Sequence, residues 1–464
     1  MAACMELQRT LQSKVSFPNS TEYVYEESQY WSAQQSSAVP TCRIAPLSAK
    51  DVSQAILALK KNQCQFAVKS GGHSAFRGGS NIDGGVTIDL LHLNQVDVSA
   101  DQKSTSLGPG NRWLDVYSKL DARNLSVVGG RVADIGVGGL TLGGGISFFS
   151  NRYGWACDNV INYEVVLADG SIRNVNKASY PDLFFALRGG GNNFGVVTRF
   201  DVNTFPQGPM LGGMQYYDWS YRSTLFKAFE EFNINSPTDP YGALILSFGY
   251  DQANDVYAAI TDLEYGKPVL NPPILQNFTS IPHLVSTVTI TNLSQLTIDI
   301  KGADPYGYRQ SYWTLTMKNN ADLMGKVMDI FQEVVDPLKN LTGILPAISF
   351  QPISTAMTSH FTGNALGVTA ADGPTTNINL ALRWSLASDD DVIQNAARSI
   401  ISRSNNTAHA MGLGFRYLYQ NYASHEQNVF WSYGEENLAK LRAVSKKYDP
   451  EGVFTKLQPG YFKI

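Results

Sequence analysis

The run Val68-Lys69-Ser70-Gly71-Gly72-His73-Ser74 places one nucleophilic imidazole at a glycine turn that ends an apolar segment. Paired glycines let a backbone approach a flat or phosphorylated ligand without Cβ clashes, and their amides can point at anionic oxygens. Two further clusters follow, Gly136-Val137-Gly138-Gly139-Leu140-Thr141-Leu142-Gly143-Gly144-Gly145 and Gly189-Gly190-Gly191-Asn192-Asn193-Phe194-Gly195. One glycine loop says little, and a lone Gly-Gly-His-Ser turn ordinarily holds a capping histidine. Three clusters, each beside a strand-like segment, imply a large cofactor extended across several loops with His73 within bonding distance. The other histidines, at positions 92, 283, 360, 409 and 425, lack metal-ligand spacing, so no metal site is expected.

The elements that must hold these loops read as α+β. Ser48 is placed to cap an amphipathic helix within 46–62, whose face is Val52, Ile56 and Leu59, and a strand over 66–69 follows. Further strands are predicted over 86–90 and 196–202, with a helix over 112–120 after Gly108-Pro109-Gly110. Segments 163–167 and 171–175 form a hairpin about Ala168-Asp169-Gly170. Beyond Pro206 the glycine clusters thin out. Helix stripes then appear at Leu225, Phe226, Phe229 and Phe232 and at Leu323, Val327, Ile330, Phe331 and Val334, with strands over 243–248, 285–290, 311–317 and 378–384. A last helix spans 435–447 and stops at Asp449-Pro450.

At 464 residues the chain exceeds one compact core, so two domains are expected. A formal charge of −4 with no long basic run argues against nucleic acid or an anionic membrane as the partner. No apolar run approaches the roughly 18–20 residues of a membrane span, and the N-terminus lacks the apolar core of a signal peptide. Among four cysteines, Cys4 and Cys42 are expected to tie down the N-terminal arm, while Cys64 and Cys157 read as buried small hydrophobes. Asn-x-Ser/Thr sites at Asn19, Asn124, Asn277, Asn292, Asn340 and Asn405 lend mild support to a secretory-pathway protein.

Lys69 to Ser74, Gly136 to Gly145 and Tyr419-Gln420-Asn421-Tyr422 together resemble the berberine-bridge-enzyme-like FAD-linked oxidoreductases of the vanillyl-alcohol-oxidase-like superfamily, the fungal members in particular. The resemblance extends through Asn192 to Arg199 and the tail from Tyr448-Asp449-Pro450 to Gln458. It implies a two-part FAD-binding domain of the PCMH type from residues 1–205 and 415–464. Inserted at 206–414 would be an α+β substrate domain carrying an antiparallel sheet. It implies FAD joined through its 8α-methyl carbon to His73. Contacts to the cofactor would come from Ser70, Gly71, Gly72, Ser74, Gly138, Gly139, Leu140, Thr141, Gly144, Gly145, Val197, Tyr419 and Asn421. Many relatives add a cysteine link, but the aligned position here is Val132, and a valine forms no thioether. A single covalent link and a smaller, more enclosed pocket are therefore expected.

Within the same resemblance Tyr422 matches the catalytic base, with Gln351 on the substrate wall. A phenol needs a neighbouring cation or the electron-poor flavin to serve as a base near neutrality. Val160 or Ile161 would meet the flavin and govern access of molecular oxygen, the candidate co-substrate. The aromatic run Tyr216-Tyr217-Asp218-Trp219 and Trp384 suggest flat or apolar ligands. The expected reaction is hydride transfer from a small, largely apolar metabolite to FAD, in natural-product biosynthesis. Oxidase and dehydrogenase both stay open for that reaction, as do three other readings: a flavin-containing pericyclase that uses the pocket without net redox, a carbohydrate oxidase, and a binding protein with an idle flavin.

Overall fold

The computed structural model describes residues 1–302 and 305–464. Ser48 caps the first interior helix, Ala49–Lys61: its Oγ accepts the Asp51 backbone N–H, and Val52, Ala55, Ile56 and Leu59 are buried. The helix is the connection between strands Cys42–Ile44 and Phe66–Lys69, each of which pairs in parallel with Val86–Asp89. Parallel strands require such a long crossover. With Val15–Ser16 on the edge they form a four-stranded sheet. A helix over Ala2–Leu11, not foreseen from sequence, lays Leu7 and Leu11 on the same core, and a disulfide joins Cys4 to Cys42.

A buried ion cluster lies where Phe66–Lys69 ends. Arg43 Nε meets Glu26 Oε2 at 2.8 Å, Arg43 Nη2 meets Asp89 Oδ2 at 2.7 Å, and Glu27 accepts a third bond. Lys69 Nζ shares Asp89 Oδ2 at 2.8 Å. Removing any partner would strand a buried charge. The cluster thus fixes the strand end from which the Ser70-Gly71-Gly72-His73 turn departs.

The second sheet has six antiparallel strands in the order Val96–Val98, Ser104–Leu107, Val196–Pro206, Val160–Val166, Ile172–Val175, with Leu125–Val127 also on Val196–Pro206. The expected hairpin is its outer pair, Tyr163 to Val166 against Ile172 to Val175.

The third sheet is the antiparallel one expected in the middle of the chain. Its eight strands run Val285–Ser286, Met210–Asp218, Val256–Tyr265, Gly242–Asp251, Leu345–Ile353, Thr375–Trp384, Arg309–Lys318, with Thr289–Thr291 also beside Met210–Asp218. The single strand predicted over 285–290 is therefore two short pieces. Between them the Thr287 hydroxyl takes the Met214 N–H at 3.0 Å in place of a ladder carbonyl.

Alternation divides this sheet into two faces. Leu246, Phe248, Ile348, Phe350, Leu380 and Trp384 join the core packed with helices Arg222–Asn235, Ala321–Val335 and Asp390–Ala410. Tyr217 and Trp384 belong to that core, so these two aromatics are packing groups and not the ligand wall suggested by the sequence. Ser247, Gly249, Ala347, Ser349, Gln351, Asn379, Ala381 and Arg383 look the other way, into a cavity. Among the described residues no helix is long and apolar enough to cross a membrane.

Candidate active site

The cavity, of about 520 Å³, is lined by residues from all three sheets. Ser70, Gly71, Gly72, His73 and Ser74 form one wall. Ser70 Oγ donates to Pro109 O at 2.5 Å and accepts the Gly138 N–H at 3.1 Å, tying the first glycine turn to the second cluster. Gly71 and Gly136 meet backbone to backbone: a Cβ on Gly136 would lie 2.3 Å from Gly71 N.

Gly139 is the opposite case. A Cβ there would meet no atom within 4 Å, because the residue opens onto the cavity. The space left by that missing side chain is what a ring or phosphate held against backbone requires. Gly138, Leu140 and Val197 line the same region, so these residues fit a bound FAD.

His73 stacks on Trp31 with centroids 4.1 Å apart and planes 10° from parallel. Its Nε2 stands 4.0 Å from Asp134 Oδ1. Burial pushes the imidazole down to about 4 against the opposing pull of the Asp134 charge. The ring is neutral near pH 7 and retains a nucleophilic lone pair.

Three expected cofactor contacts do not line the cavity. The segment after Gly136 folds as helix Val137–Leu142, which turns Thr141 into the core, where its hydroxyl donates to Val137 O at 2.7 Å. Gly144 and Gly145 follow with φ of +108° and +85°, backed by Leu366 and by Ala156. Neither Val160 nor Ile161 is a lining residue. Strand alternation sends Val160 into the core and Ile161 to the exterior, so the expected oxygen-access position is not at the cavity wall.

Opposite His73 the Tyr419-Gln420-Asn421-Tyr422 segment makes a tight turn. Tyr419 Oη accepts the Ile146 N–H at 3.0 Å and a bond from Asn421 Nδ2 at 3.0 Å. Asn421 Nδ2 also reaches Leu140 O at 3.0 Å, which clamps the turn to the second glycine cluster. Tyr422 then presents its hydroxyl at the wall. Arg131 Nη2 lies 2.8 Å from Tyr422 Oη, Gln351 Nε2 lies 3.1 Å from it, and Arg131 Nη2 is 2.5 Å from Gln351 Oε1.

Two members of this constellation were not identified from sequence. Arg131 places a cation against the Tyr422 oxygen; its one local signal is its place after Gly129-Gly130, whose missing side chains admit the Trp113 ring. Asp262 lies on Val256–Tyr265 and lines the cavity. Burial pushes its carboxyl up to about 7, opposed by the Arg131 charge. Glu264, two residues on, is driven well upward by burial and then by Asp262.

Comparison with known proteins accords with this geometry. The FAD binding domain family matches residues 40–176. The FAD-dependent monooxygenase tpcD of Cochliobolus heterostrophus is 39% identical over 453 residues, covering 94% of this chain and 87% of that protein. Among solved structures, a variant of berberine bridge enzyme in complex with (S)-reticuline superposes with a TM-score of 0.79 at 17% identity, over 98% of this chain and 97% of the other. Glucooligosaccharide oxidase from Acremonium strictum, whose FAD is 6-S-cysteinyl, 8α-N1-histidyl, gives a TM-score of 0.79 at 21% identity over 98% of each chain. At those identities the structural likeness concerns the fold, whereas the fungal relative carries the family. The chain belongs to the family of FAD-linked oxidoreductases that includes the fungal FAD-dependent monooxygenases.

Proposed function

We propose that this FAD-linked oxidoreductase oxidises a small, largely apolar metabolite of natural-product biosynthesis, with the flavin held covalently by His73 and the substrate proton taken by Tyr422. The observation that carries this reading is the Tyr422 hydroxyl, held by Arg131 and Gln351 on the wall of the cavity that His73 lines. FAD, when bound, supplies two-electron acceptance at the substrate carbon. The chain supplies the rest. The Arg131 guanidinium favours negative charge on the Tyr422 oxygen before transfer, the substrate proton then neutralises it, and the Gln351 amide orients that oxygen. His73 offers a neutral nitrogen for attachment, and Val132, which lines the cavity without a sulfur, supports a single link. Val68, Leu90, Ile135, Ile260 and Ile300 in the lining support an apolar ligand over a sugar.

A second reading, insertion of an oxygen atom into the substrate, is favoured by the relative named as a monooxygenase. The buried Cys4–Cys42 bridge supports passage through an oxidising compartment. Acid precipitation tests the attachment: the protein pellet should stay yellow in wild type and lose its colour in His73→Ala. Anaerobic titration with candidate metabolites should bleach the flavin absorbance, and re-admitting ¹⁸O₂ separates the outcomes. Label in hydrogen peroxide alone marks an oxidase, label in the product a monooxygenase, and turnover with unchanged absorbance a pericyclase.

A further inference from the structure

The cavity face of the eight-stranded sheet is a grid whose rows follow from strand register. Ser247, Ser349 and Asn379 form one row, and Gly249, Ala347, Ala381 and Tyr312 the next. Beyond them Leu345, Arg383 and Gln310 form a third. Gln351 lies on the other side of the serine row, so at a strand rise of about 3.3 Å the Arg383 row is on the order of 20 Å from Gln351; Tyr422 stands between them, its ring 6.1 Å from that of Tyr312. Over the two inner strands the surface is low, since Gly249 and Ala347 carry nothing larger than a methyl and the Ser247 and Ser349 hydroxyls bond each other at 2.8 Å, while the Tyr312 ring borders it at the sheet edge.

The far row is polar and has unmet donors. Gln310 is 3% exposed, and its Nε2 has no acceptor among the described residues. Its backbone N–H and carbonyl are both held by the Gln34 side chain, at 3.1 and 2.9 Å, so its position is fixed. Arg383 Nε is likewise buried without an acceptor among them, and the guanidinium lies 4.6 Å over the Tyr308 ring. Among the described residues no carboxylate pairs with Arg383. Of the acids lining the cavity, Asp251 is engaged by the Ala253 N–H and by Asn254 Nδ2, and Asp262 lies under the influence of Arg131 near the opposite end. Buried donors left unmet are costly unless a ligand supplies acceptors. A guanidinium edge beside an amide donor suits a planar, two-oxygen anion.

We propose that Arg383 and Gln310 form a carboxylate subsite, and that the substrate is a flat, polycyclic acid whose carboxylate lies at the end of the sheet face away from Gln351. This rests on the reading of the cavity as the substrate pocket, and it adds the anionic end that an apolar lining alone would not suggest. The test reads binding instead of turnover. Holoenzyme is titrated calorimetrically with anthraquinone-2-carboxylate and with its neutral isostere, anthraquinone-2-carboxamide. The carboxylate should bind at least tenfold more tightly to wild type. Arg383→Gln should bring the two probes to within about twofold, Arg383→Lys should restore part of the preference, and Gln310→Leu should weaken it. Equal affinities in wild type, binding of neither probe, or a preference unchanged by Arg383→Gln overturns the subsite. Flavin content matching wild type excludes misfolding as the cause of a lost preference; should Arg383→Gln misfold, Arg383→Lys and Gln310→Leu decide, and two unaltered preferences count against the proposal. An Arg383-dependent preference in an enzyme whose flavin no candidate metabolite reduces would keep the subsite and sink the redox reading.

Discussion

Tyr422 differs from an ordinary half-buried tyrosine because a guanidinium donates to its oxygen. Loss of the phenol as proton acceptor should lower the rate of flavin reduction about 10²–10⁴-fold in Tyr422→Phe, the range of general-base contributions. Arg131→Met should fall in the same range with flavin content unchanged, and Arg131→Lys should recover part of the loss. Stopped-flow reduction under anaerobic conditions measures all three, and a wild-type rate in Tyr422→Phe would remove the residue from the proton path.

Asp262 yields a separate expectation at this scale. Its folded value of about 7 stands above the ordinary 3.8, so the native state holds more protons than the unfolded state between those values. The associated stability is fully present below the unfolded value and is lost as pH rises through about 7. Asp262→Asn escapes that loss. Its stability relative to wild type should rise by on the order of 2–3 kcal/mol between pH 5 and pH 8, read from denaturant midpoints at the two pH values. A difference independent of pH would show that the carboxyl is already ionised in the fold.

At the scale of elements, two glycines in one helical segment do different work. A methyl on Gly136 would collide with the Gly71 backbone, whereas a side chain on Gly139 would enter only the cavity. Gly136→Ala should therefore lower the melting temperature and flavin content together. Gly139→Val should leave the melting temperature of the flavin-free protein near wild type while reducing flavin content, read as the ratio of visible to ultraviolet absorbance.

What the sequence disclosed follows the same division. The helix Ala49–Lys61, the strand Phe66–Lys69 and the hairpin closing on Ile172–Val175 are legible because cap, periodicity and turn lie within a few residues of one another. Helix Asp390–Ala410 escapes a pattern reading because Ser402, Ser404, Asn405, Asn406 and Thr407 crowd its second half with residues that favour turns. His73, Gln351 and Tyr422 are marked by their motifs or by family resemblance. Arg131 and Asp262 are not, since the value of each depends on which distant strand or loop the fold sets beside it.

At the scale of the molecule, the cavity is finished by the end of the chain. Gln458 and Tyr461 line it, more than 380 residues after His73. Asn193 Nδ2 donates to Phe462 O at 3.0 Å, and Lys463 Nζ donates to Asn192 Oδ1 at 2.9 Å and Phe454 O at 3.0 Å, so the last residues grip the third glycine cluster. Phe462 is buried against Phe76, whose neighbours form the first turn. Little else in the sheets depends on this segment, because the strands and their crossover are already paired without it. A chain ending at residue 458 should consequently keep its secondary structure by circular dichroism and lose only a few degrees of melting temperature. Flavin incorporation should suffer far more, since removing Tyr461 and the carbonyl of Phe462 opens one wall and frees Asn192 and Asn193. Comparing colour after gel filtration with the dichroism spectrum measures the two effects apart, and a truncated protein that stays fully yellow would mean that residues 1–458 complete the cofactor cradle without the tail.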